Sequence, residues 1–97
     1  MTKEKALEAL TKAAEFVEAA IKLDEETDGL FCLGTDTERQ IHISQSRWDE
    51  ITNAIQPVIT YDPNWDHSGE YTMARFTQKL LGKEYKVFAL IERREQR

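Results

Sequence analysis

Between Thr2 and Leu23 the chain carries Leu7, Leu10, Ala14, Val17 and Ile21 at steps of three and four. That spacing is one apolar stripe of an α-helix, and Ala6, Ala13 and Ala20 widen it. About 21 helical residues span about 32 Å, the width of a small domain. A helix of this kind gains most of its stability by burying its apolar face, so the rest of the chain must supply the cover. The outer face pairs Glu8 with Lys12 and Glu18 with Lys22, each acid four residues before its base, as on a solvated surface. The same periodicity permits a helix pair across a dimer, but two heptads are short for a coiled coil. Packing on a sheet of the same chain is the reading adopted.

A chain of 97 residues is expected to form one domain with one modest core. Its 40% hydrophobic content suits a globular protein. The formal charge of −5 opposes long-range attraction to nucleic acid or anionic lipid. Cys32 is the only cysteine, which excludes an intramolecular disulfide and fits a reducing, cytoplasmic setting. Lys3, Glu4 and Lys5 lead into an amphipathic pattern and not an unbroken apolar run, so neither a signal peptide nor a membrane span is read here.

Thr2 is the candidate N-cap of the first helix. Asp24, Glu25, Glu26 and Asp28 oppose the helix dipole and are expected to end it as an acidic connector, without the alternating ligands of a calcium loop. Leu30 to Gly34 reads as a first strand bounded by glycines, and Gln40 to Ser44 as its hairpin partner, with Ile41 and Ile43 on one face and His42 on the other. Ser46 offers an N-cap for a second helix carrying Trp48, Ile51 and Ile55, with Ala54, and Pro57 closes it. Val58 to Tyr61 is a brief extended run. Asp62 to Gly69 is a turn-rich loop, of the kind that often carries function.

Glu70 to Glu92 admits two readings. As two strands joined by a Gly82-Lys83 turn, Leu80 opposes Tyr85, Phe76 opposes Ala89 and Ala74 opposes Ile91, which gathers an apolar face. The alternative makes Ser68 an N-cap, 70–81 a helix and Gly82 its terminator. The hairpin is adopted. Its reverse face then holds Tyr71, Met73, Phe88 and Leu90 among Arg75, Thr77, Lys79 and Lys86. This is more apolar than a free surface requires, and it is rimmed by charge as partner interfaces are. A loop or the second helix lying over it is the competing explanation. The tail from Arg93 to Arg97 reads as polar and frayed.

Catalytic and metal-binding patterns are weak. Cys32 and His42 are possible strand neighbours, but a mid-strand cysteine lacks the helix N-terminus or cation that makes a reactive thiolate, and a small buried thiol is the plainer reading. His42, His67 and Asp66 are candidate zinc ligands without the short spacings of zinc sites. The scattered glycines form no phosphate-cradling loop. Trp65 suits a partner contact, or else a plug at the sheet edge. A nucleic-acid reading uses Arg75, Lys79, Lys86, Arg93 and Arg94 with Tyr71 and Phe88 as stacking groups, against the acidic balance of the chain.

Three pieces together carry a resemblance. They are Leu30 to Gly34, the unit from Gln40-Ile41-His42-Ile43 through Trp48-Asp49-Glu50-Ile51, and Gly82 to Glu92 with Tyr85-Lys86-Val87-Phe88-Ala89-Leu90. About half the chain thus resembles the small acidic accessory proteins of bacterial phages, prophages and conjugative elements. Some of those accessory proteins act by binding and blocking host proteins, which is what the resemblance implies here. It carries over no functional residue.

The sequence therefore predicts an α+β fold in the order α-β-β-α-β-β, a small antiparallel sheet packed on a long N-terminal helix. The functional expectation is a non-enzymatic interaction module, with a protein partner or a second copy held through Tyr71, Met73, Arg75, Phe88, Leu90 and Trp65. No catalytic residue, metal or cofactor is assigned. A nucleic-acid accessory factor is the alternative, and a small enzyme using His42 or His67 the second.

Overall fold

Period-three-and-four and period-two patterns alternate along this chain, and the structure, a computed structural model, realises them as a mixed α+β fold. It describes residues 1–31, 38–64 and 68–92. The elements are α1 (Lys3–Glu26), β1 (Gln40–His42), α2 (Gln45–Ile55), β2 (Thr60–Asp62), β3 (Tyr71–Leu80) and β4 (Lys83–Glu92). The four strands lie in the order β1-β4-β3-β2.

The Thr2 hydroxyl caps α1 by accepting from the Lys5 N–H at 3.1 Å. The helix runs through Leu23 to Glu26, so the acidic cluster forms its last turn. The stop is conformational. Asp28 and Gly29 both adopt positive φ, and the Gly29 N–H donates to the Asp24 carbonyl at 2.9 Å, the closing bond of a Schellman-type terminus. Ala6, Leu10, Ala14 and Val17 of the apolar stripe are buried against Phe76, Leu80, Tyr85 and Val87. The second helix starts one residue before Ser46. Ser44 is its N-cap, without a side-chain hydrogen bond, and Gln56 ends it in the left-handed region just before Pro57. Trp48 and Ile51 join the same core, with the Trp48 ring 5.5 Å from that of Phe76. Thr52 is buried as well, its hydroxyl returning to the Trp48 carbonyl at 3.0 Å.

The segment 71–80 is strand, paired antiparallel with β4. The turn differs from the sequence expectation by one position. Leu80 opposes Lys83, leaving Leu81 and Gly82 as the central pair with φ of 54° and 73°. Two positive φ values make a turn of the I′ kind, whose twist matches that of the flanking strands. The resulting register is Phe76 opposite Val87 and Ala74 opposite Ala89. It departs from the expected pairing by two residues, so every side chain keeps its face.

The N-terminal half of the sheet is where sequence and structure part. Leu30 and Phe31 are exposed and outside any strand, and 32–34 lie outside the described residues. Gln40–His42 is therefore not seen in the expected hairpin. It pairs parallel with β4, Ile41 beside Val87, so the sheet is mixed and not purely antiparallel. Burial explains the choice, because the β4 edge is the place where Ile41 reaches the core. The extended run near Tyr61 becomes β2, which pairs antiparallel with β3.

Candidate interaction surface

Strand alternation sorts β3 and β4 into two faces. Thr72, Ala74, Phe76 and Leu80 of β3, with Tyr85, Val87 and Ala89 of β4, are buried on the inner side. The reverse side carries the odd residues of β3 and the even residues of β4. Both helices contribute to the core that joins the inner side.

On the reverse side Met73 opposes Leu90, Arg75 opposes Phe88, and Tyr71 opposes Glu92. The five expected residues on β3 and β4 (Tyr71, Met73, Arg75, Phe88 and Leu90) thus share one surface. Trp65 lies outside the described residues. Met73 is 5% exposed, while Tyr71, Arg75, Phe88 and Leu90 are half-buried.

The sequence did not reveal that His42 belongs to this group. Parallel pairing sets His42 beside Phe88, and their rings stack at 4.7 Å between centroids with planes 7° apart. The Lys86 ammonium lies 5.6 Å from the Phe88 centroid. With Thr60 next to Arg75, one row reads His42, Phe88, Arg75, Thr60 across all four strands. Only the β1–β4 pairing places the histidine there, and no local signal announces it.

Both signs of charge share the surface. Arg75, Lys79 and Lys86 are interleaved with Asp62, Glu84 and Glu92, and Lys79 directly opposes Glu84. Arg93 and Arg94, which the nucleic-acid reading needs, lie outside the described residues. So do Cys32, Asp66 and His67, and with them the thiolate, zinc and two-histidine readings. Among the described residues no group of three or more His, Cys, Asp or Glu side chains is placed to hold a metal ion. None of the described helices is long and apolar enough to cross a membrane.

A second polar cluster sits at the edge of the core. Glu18 does not pair with Lys22, which turns instead to Glu26 at 3.8 Å. Its carboxylate accepts from Arg39 Nε at 2.7 Å, from Arg39 Nη2 at 3.0 Å and from Lys83 Nζ at 2.6 Å, and also from the Tyr85 hydroxyl. The hydrogen bonds from Arg39, then Lys83 and Tyr85, hold the Glu18 carboxyl down at about 2. Burial, and then the hydrogen bond to Glu18, push the Tyr85 hydroxyl up to about 12. Two cations from distant segments share the one Glu18 carboxylate, so the cluster works as a clasp joining α1, the segment before β1 and the β3–β4 hairpin. Its sequence signal was the position of Glu18 at the margin of the apolar stripe.

The chain matches no protein-family model, no curated protein and no solved structure.

Proposed function

We propose that this protein is a non-enzymatic interaction module that binds another protein through the reverse face of its sheet. One observation carries the reading: Tyr71, Phe88, Leu90 and His42 gather around buried Met73 on the sheet face opposite the one that carries the helix–sheet core. The ten-residue strands β3 and β4 cover about 33 by 10 Å, and the three-residue β1 and β2 each add about 10 by 5 Å. The sum is about 430 Å², roughly half of one side of a standard protein interface, so the bound partner would also touch the flanking loops. An apolar centre with charges of both signs at its rim suits a protein surface. Acidic side chains interleaved among the basic ones oppose a phosphate backbone. The accessory proteins that the sequence resembles supply the class of partner, a host protein met in the cytoplasm.

The test is site-specific photo-crosslinking in cells, with the probe at Thr77 on the face and, as control, at exposed Asn53 on α2. Protein adducts formed from Thr77 and not from Asn53, and lost on Phe88→Glu, are the expected result. Adducts destroyed by nuclease would replace the protein partner with nucleic acid. Equal labelling from both positions, or none, would overturn the reading.

A further inference from the structure

We propose that a second copy of this chain docks antiparallel along the exposed flank of α1, a surface separate from the sheet face and independent of the function assigned to it.

The observation is where the exposed apolar side chains fall. Among the described residues, Phe16 (60% exposed) and Leu23 lie on α1, Met1 precedes it, and Leu30 and Phe31 follow its end. These are most of the large hydrophobic side chains left in solvent. Ala9, Phe16, Ala19 and Leu23 recur at the three-and-four spacing of a helix–helix seam, beside the stripe that packs on the sheet. All four are exposed, so the chain's own core uses none of them. Phe16 stands in the middle, flanked by small side chains that let a neighbouring backbone come close.

Charge chooses the occupant and its direction. The first half of α1 places Lys5 and Lys12 on this flank, and the last turn places Glu26 there. Residues 15–28 hold Glu15, Glu18, Asp24, Glu25, Glu26 and Asp28 against Lys22 alone. A second α1 laid parallel would set lysine on lysine and acid on acid. Laid antiparallel about Phe16, it sets Lys5 against Glu26 of the other copy and the basic beginning against the acidic end. It also opposes the two helix dipoles and brings exposed Met1 toward exposed Leu30 and Phe31. The flank is thus self-complementary under a two-fold axis, the arrangement of an isologous dimer.

Sedimentation equilibrium and paired cysteines test this, with Cys32→Ser as background. The wild type is expected to associate in the micromolar range. Phe16→Glu, at a position outside the core, should weaken association about tenfold or more, and Phe88→Glu on the sheet face should leave it unchanged. Lys5→Glu and Glu26→Lys should each weaken self-association, and mixing the two should restore it. Ala9→Cys should crosslink to Leu23→Cys on mixing, with neither crosslinking to itself. A monomer up to about 1 mM, association sensitive to Phe88→Glu but not Phe16→Glu, or Ala9→Cys joining its own kind would each overturn the proposal. The sheet-face reading survives or falls separately, on the crosslinks from Thr77.

Discussion

Arg39 lays its guanidinium against Glu18 through two hydrogen bonds, of 2.7 and 3.0 Å, across 21 residues of sequence. Lys83 completes the grip from the far hairpin. The Glu18 side chain is 22% exposed, so solvent screens this group less than it does the pairs on the outer face of α1.

The acid limb of stability should therefore report on Glu18. Its carboxyl sits at about 2 in the folded chain and at 4.5 ordinarily. A lowered folded value stabilises above the ordinary value, and that contribution disappears as pH falls from 4.5 toward 2. Glu18→Gln should cost about 1–2 kcal/mol at pH 7 and flatten this part of the profile. Urea titrations of both proteins across the window measure the difference.

The alkaline limb should follow Tyr85. Its hydroxyl is raised from 10.0 to about 12, so the folded chain holds the proton more tightly than the unfolded one. The resulting stabilisation is complete below pH 10 and is lost as pH rises toward 12. Tyr85→Phe should remove that slope, as read by thermal melts over the same range.

Leu81 occupies a positive-φ turn position, which leucine tolerates poorly and asparagine well, because the short asparagine side chain hydrogen-bonds the local backbone. Leu81→Asn should add about 1 kcal/mol of stability, or about 4–8 °C in melting temperature. Leu81 is exposed, so little packing is lost.

Thr72 is buried on the inner face, and its hydroxyl has no hydrogen-bond partner among the described residues. Thr72→Val keeps the shape and removes the stranded polar atom. It should leave stability unchanged or raise it by about 1 kcal/mol. A drop in the denaturation midpoint would show that the hydroxyl is satisfied in solution.

Trp48 and Phe16 make a contrasting pair. Trp48 is buried against Phe76, so Trp48→Ala should cost about 3–5 kcal/mol. Phe16→Ala, at concentrations too low for self-association, should stay within about 0.5 kcal/mol of the wild type. Chemical denaturation of the dilute proteins compares the two.

What the sequence determined was local. The stripe from Leu7 to Ile21 specifies a helix because its period is that of the helix itself. The alternation through Ala74, Phe76, Tyr85, Val87 and Ala89 specifies which face is inner, since a register error of two residues leaves that parity intact. Tyr71, Met73, Arg75, Phe88 and Leu90 were legible as one surface for the same reason. Tertiary structure decided the rest: that Leu81-Gly82 forms the turn, that β1 lies parallel to β4 and carries His42 to Phe88, and that Glu18 turns from Lys22 to Arg39, Lys83 and Tyr85. Apart from the turn, which follows from the register of the whole hairpin, those pairings join residues far apart along the chain. They depend on which buried surfaces meet, and neighbouring residues hold no record of that.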